Sequence, residues 1–104
     1  MKLKDVDPEF DYPEIDETIH EYIVARDESL CQLCGTQGDH KHHIIFKSAG
    51  GTNKPNNLVL LCTNKGVNSG CHDAVHQYKV GKNAGKMLLQ VVKRNEERFR
   101  RRLV

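Results

Sequence analysis

Four cysteines and six histidines stand in a chain of 104 residues, and their spacing points to metal chemistry. Cys31 and Cys34, with two residues between them, can place two thiolates on one ion from a single tight turn. Cys62 and Cys71 can complete a tetrahedron from a separate part of the chain, because the polar segment between them, TNKGVNSG, carries two glycines and closes easily. Such a four-thiolate zinc site contributes folding free energy that a small apolar core lacks. The histidines form two pairs. His42 and His43 are adjacent, while His72 and His76 are four apart and share one face if that segment is helical, so both can reach one ion. Asn57 lies between the pairs.

The elements that must position these groups follow from periodicity. Ile15, Ile19, Tyr22 and Ile23 have the three-and-four spacing of a helix that buries one face, expected to run to about Asp27 with Asp16 and Glu17 in its first turn. His43-Ile44-Ile45-Phe46 reads as a short strand, and KSAGGTNKPN as a loop. Asn57-Leu58-Val59-Leu60-Leu61 is a second strand ending at Cys62, and Cys71-His72 opens a helix-compatible stretch reaching Val80. From about Asn83 a last helix is expected, with Ala84, Leu88, Val91, Val92, Phe99 and Leu103 on its apolar side and Lys93, Arg94, Arg98, Arg100, Arg101 and Arg102 on its polar side.

Composition bounds the class. The length suits one domain, and the apolar fraction is 38%, below the roughly 45 to 50% of an ordinary soluble domain. The net charge of +2 conceals two opposite segments. Residues 1–28 carry ten acidic and three basic groups, a net of −7, whereas residues 29–104 carry thirteen basic and four acidic ones, a net of +9. No apolar run is long enough to span a bilayer, and the acidic N-terminus lacks the apolar core of a secretory signal. A cytoplasmic protein is expected, in which cysteines bind metal rather than pair as disulfides. Residues 1–14, with Pro8 and Pro13, read as an extended, partly mobile arm, residues 15–82 as the zinc-stabilised domain, and residues 83–104 as a basic helix packed on it.

The runs His42-His43-Ile44-Ile45-Phe46-Lys47-Ser48-Ala49-Gly50-Gly51-Thr52, Asn57-Leu58-Val59-Leu60-Leu61-Cys62 and Cys71-His72-Asp73-Ala74-Val75-His76 resemble the HNH endonuclease family. The resemblance covers about residues 20–80 and implies an α+β fold. Its ββα-metal core consists of two short antiparallel strands, a loop and a helix around one catalytic ion, here flanked by an N-terminal and a C-terminal helix. It implies that His43 is the general base, that His42, His72 and His76 hold a divalent cation, and that Asn57 orients the base and braces the loop. Two departures stand out: the second cysteine pair is Cys-x8-Cys where many members have Cys-x2-Cys, and Phe46 stands where Pro is common.

On that resemblance, the site would hydrolyse phosphodiesters. A neutral imidazole accepts the proton of water near neutral pH, and the cation acts as Lewis acid on a phosphate oxygen and the leaving 3′-oxygen. Three imidazoles favour manganese, nickel, cobalt or zinc over magnesium, which prefers oxygen ligands. DNA is the expected partner, with Lys41, Lys47, Lys54, Lys93, Arg94 and Arg98 as candidate phosphate contacts. Likeness to small phage proteins implies a role in phage DNA processing or packaging, with terminase or packaging proteins as partners. The competing reading is a zinc-stabilised nucleic-acid binding module without catalysis; a toxin-like nuclease is a third. Adjacent strand residues point to opposite faces, so a base and a ligand at His43 and His42 require a bend or bulge there. The acidic segment is expected to pack near the basic surface and limit nonspecific binding.

Overall fold

The computed structural model describes residues 2–46, 49–63 and 81–103, with backbone alone for residues 81–84. Its described elements are helix α1 (Glu17–Arg26), strand β1 (His40–His43), strand β2 (Leu58–Leu61) and the long helix α2 (Gly81–Leu103), with single 3-10 turns at Leu3–Asp5 and Pro55–Asn57. This is the α+β arrangement the sequence implies, with β1 and β2 antiparallel.

Helix α1 starts where a carboxylate can satisfy an orphan amide. Asp16 is the N-cap rather than a first-turn residue, and its Oδ1 accepts from the Ile19 amide at 2.9 Å. The helix ends in a Schellman-type turn, in which the Glu28 amide donates to the Ala25 carbonyl and the Ser29 amide to that of Val24. Glu28 takes the left-handed conformation there (φ 58°), where glycine is usual. The turn leaves Glu28 facing Arg98 and Arg102 of α2, at 3.3 and 3.4 Å.

Strand β2 is the shared wall of two small cores. Leu58 and Leu60 face Val6, Ile19, Tyr22, Ile23 and Phe99, whereas Val59 and Leu61 face Cys31, Ile44, Cys62, Leu88 and Val92. All four strand residues are fully buried, so side-chain alternation lets a strand of four residues pack against both helices.

Between these cores runs a buried polar network. The Arg26 guanidinium donates to both carboxylate oxygens of Asp27 (2.9 and 3.1 Å), to the Pro55 carbonyl (2.7 Å) and to the Leu58 carbonyl. Asp27 in turn accepts from the Leu60 amide (2.9 Å) and from Asn95 Nδ2 (3.0 Å). Glu96 lies 3.6 Å from Arg26, 3.3 Å from Arg100, and accepts from the Tyr22 hydroxyl. Burial and the Glu96 carboxylate push the Tyr22 phenol well above its ordinary pKa, keeping it a donor.

Three further expectations are corrected. The first strand lies at His40–His43 rather than over Ile44, Ile45 and Phe46, because the Asn57 main-chain and side-chain oxygens accept from the Ile44 and Ile45 amides and end the ladder. The acidic N-terminal segment is not a simple extended arm. Val6 is buried in the first core, and Arg100 donates to the carbonyls of Lys4 and Val6. A cleft of about 620 Å³ separates Pro8 and Glu9 from Lys93 and Arg101 of α2, so acidic segment and basic helix do lie side by side. Finally, His42 and His43 pair in register with Val59 and Leu58, with no bulge. Backbone pairing dominates there because β2 is continuous and fixed on both faces.

Removing one member of a buried ion pair strands the other. Asp27→Ala is expected to cost about 3–5 kcal/mol, read from urea unfolding in zinc-containing buffer. A loss below about 1 kcal/mol would mean that the guanidinium finds other partners.

Candidate metal centre and histidine site

The cysteine site is assembled by backbone hydrogen bonds. The Cys31 amide donates to the Thr36 carbonyl (2.6 Å) and the Gly35 amide to the Cys31 carbonyl (2.9 Å), folding residues 31–36 into a tight knuckle in which Gly35 takes φ 79°. The knuckle is stitched to β2 through the Gln32 amide and the Leu60 carbonyl, and Gly38 passes so close to Leu60 that a Cβ would sit 2.5 Å from its Cγ. Just past the same end of the strand, Asp39 accepts from the Thr63 amide and hydroxyl, holding Cys62 beside the knuckle.

The result is that the Cys31, Cys34 and Cys62 sulfurs lie within 4.8 Å of one another, with Cys34 and Cys62 at 3.6 Å. Sulfurs on a tetrahedron with arms of about 2.3 Å stand about 3.8 Å apart, so this donor set fits a metal ion. Hydrogen bonding from Thr36 lowers the exposed Cys34 thiol to about 6, whereas burial raises Cys31. Cys71, the expected fourth ligand, lies outside the described residues, as do His72, His76 and Lys47.

The histidine site is built on the end of β1 and the loop that follows. His42 is buried, its ring edge-on to Phe46 with centroids 5.5 Å apart. His43 is half-buried at the last position of the strand, and its Nε2 is 2.9 Å from Asn53 Oδ1. Regular pairing sets the two imidazoles on opposite faces of the ribbon; the bend that would aim both at one point is absent. Asn57 closes the loop: Oδ1 accepts from the Ile45 amide (2.8 Å), and Nδ2 donates to the carbonyls of Ile45 (3.1 Å) and Thr52 (2.9 Å). Asn57 therefore braces the loop and makes no contact with His43 that would orient it, a contact made instead by Asn53.

Asn53 is the site residue that sequence reasoning missed. Its signal was present only as one more polar residue after Gly50 and Gly51. Its Nδ2 donates to the Tyr12 carbonyl (2.8 Å), so its Oδ1 is the atom facing His43 and can only accept. His43 must then carry its proton on Nε2, leaving the Nδ1 lone pair as the basic atom.

Of the expected phosphate contacts, Lys41 is turned toward α1, where its Nζ donates to His20 Nδ1 at 2.6 Å and burial lowers its pKa. Lys54 precedes the 3-10 turn Pro55–Asn57. On α2, Lys93 and Arg94 are exposed, while Arg98 is engaged by Glu28.

Residues 31–77 match the family model described as HNH endonuclease. That span contains all four cysteines and His42, His43, Asn57, His72 and His76. Over that span the chain is similar to HNH endonucleases, which points to a function of the nuclease type or one otherwise directed to nucleic acid. No curated protein matches the chain. Among the described residues no helix is long and apolar enough to cross a membrane.

Two outcomes follow. In metal-free protein at pH 7, iodoacetamide should modify Cys34 before Cys31, because only Cys34 is both exposed and ionised above about pH 6; peptide mass spectrometry reads the order, and bound zinc should suppress both. A Cβ at Gly51 would lie 1.7 Å from the Ile45 carbonyl oxygen, so Gly51→Ala should shift the loop and cost about 1–3 kcal/mol, measured by thermal unfolding.

Proposed function

We propose that the protein is a metal-dependent HNH DNA endonuclease that hydrolyses phosphodiester bonds with weak sequence preference. The observation that carries this reading is that the family-matched segment contains His43, whose Nε2 lies 2.9 Å from Asn53 Oδ1, together with His42, Asn57, His72 and His76. Asn53 accepts from His43 Nε2–H, and Nδ1 takes the proton from a water that attacks phosphorus. As attack proceeds, the imidazolium that forms still donates to Asn53, so the ring need not reorient. The scissile phosphate would lie across the C-terminal end of β1, where it can be approached from both faces of the ribbon.

A divalent cation held by His42, His72 and His76 would supply Lewis acidity to a phosphate oxygen. Nitrogen donors favour nickel, cobalt, manganese or zinc over magnesium. The three clustered thiols serve a separate, structural zinc ion. Lys54, Lys93 and Arg94 supply phosphate contacts that carry affinity but little sequence information. A place in phage DNA processing or packaging rests on family likeness alone.

The second reading, a binding module without catalysis, is favoured by one observation: His42 and His43 sit on opposite faces. Supercoiled plasmid separates the two. Wild type with manganese or nickel should nick it, EDTA should stop the reaction, and His43→Ala should lower the rate by about a hundredfold or more. Intact plasmid with every metal, alongside a retained gel shift, would establish the binding module instead.

A further inference from the structure

The N-terminal segment and the histidine site meet at one residue. Asn53 is 5% exposed, so its polar groups have little access to water, and three of its hydrogen bonds link the two regions. Its side-chain oxygen faces His43 Nε2 (2.9 Å), its Nδ2 donates to the Tyr12 carbonyl (2.8 Å), and its backbone amide donates to Asp11 Oδ1 (2.9 Å). Asp11 and Tyr12 belong to the acidic segment, which lies about forty residues earlier in the chain and contains none of the residues of the metal or histidine sites.

That segment is itself anchored to the body at several points. Tyr12 packs against the first core, and its hydroxyl accepts from the Asp7 amide at 2.9 Å. The Pro8 carbonyl accepts from the Asn56 amide (3.1 Å), Glu9 accepts from the Asn56 side chain, and Val6 is buried. The anchors grip the loop at residue 53, before the 3-10 turn that leads into β2, and at residue 56, within it.

We propose that Asn53 is the positioning residue for His43 and that Asp11 and Tyr12 hold it, making the acidic N-terminal segment a working part of the catalytic site. This rests on the nuclease reading for its consequence, though not for its geometry. The argument is one of hydrogen-bond polarity. Without the Tyr12 carbonyl, the Asn53 amide could turn over and present its NH2 group to His43, which would favour the opposite tautomer and leave Nε2, tied to Asn53, as the acceptor. Without the Asp11 carboxylate, the Asn53 backbone amide loses its partner, and the loop keeps its grip on the segment through the Tyr12 carbonyl and Asn56 but not at the backbone that carries the Asn53 side chain. The segment acts through Asn53 and touches no reacting atom.

Two measurements on the zinc-loaded full chain test this. The first is the imidazole nitrogen spectrum of 15N-labelled protein at pH about 8.5, well above an ordinary imidazole pKa of about 6.5. Wild-type His43 should be the Nε2–H tautomer, and Asn53→Ala should convert it to a mixture while the rest of the amide spectrum keeps its dispersion. The second is plasmid cleavage under saturating metal. Asn53→Ala should lower kcat by about ten- to a hundredfold with KM little changed. Asn53→Asp, which keeps an acceptor for Nε2–H, should recover most of that loss, and Asp11→Ala should fall between wild type and Asn53→Ala.

An Nδ1–H tautomer in wild type, or an unchanged His43 signal and kcat in a folded Asn53→Ala, would overturn the proposal. Equal losses in Asn53→Ala and Asn53→Asp, with identical falls in thermal stability, would do the same by reducing Asn53 to a loop brace. If wild type itself fails to cut, the nuclease reading falls, and the tautomer measurement alone still decides whether the segment sets His43.

Discussion

The pair of Arg26 and Asp27 is the constraint from which the rest of the architecture follows. A guanidinium and a carboxylate, both fully buried at the end of α1, satisfy each other with two hydrogen bonds. Their remaining capacity goes to the backbone of β2, the 3-10 turn before it, and Asn95 of α2. Burying such charges is costly unless every donor and acceptor finds a partner, so the network accepts only one arrangement of these elements. Its value is specificity of assembly in a chain whose apolar core is small.

Once β2 is held in that way, both proposed sites are placed by it. One end of the strand carries Cys62 to the knuckle of Cys31 and Cys34; the other begins at Asn57, which ends β1 and closes the loop bearing Asn53. The structural metal centre and the histidine site are therefore at opposite ends of one strand of four residues. The element between them is fully buried. The acidic segment closes the arrangement from outside, joined to α2 through Arg100 and to the loop through Asn53 and Asn56.

Much of this was legible from local pattern. Ile19, Tyr22 and Ile23, and likewise Leu88, Val92 and Phe99, recur at helical spacing and are buried as that spacing requires. Cys31-x2-Cys34 declared a metal knuckle, and Cys62 is where the second ligand group had to begin. Other features resisted. Asn95 and Glu96 lie on the buried stripe of α2, where polar residues look like mistakes until Asp27, Tyr22 and Arg26 are seen opposite them. The first strand was misplaced because apolar Ile44, Ile45 and Phe46 look more strand-like than His40, Lys41, His42 and His43. The pairing partner supplies the burial, and β2 is fully apolar.

By itself the sequence determined what depends on neighbours along the chain: the helices, the knuckle, the family that residues 31–77 resemble, and the residue types available for chemistry. Only the tertiary structure decided which asparagine faces His43, which ring nitrogen is left basic, and that the acidic segment is sewn to the loop rather than left outside it. The physical reason is that side-chain hydrogen bonds between distant residues leave no periodic trace. Asn53 and Asn57 are indistinguishable as letters and differ only in what the fold brings within 3 Å of them.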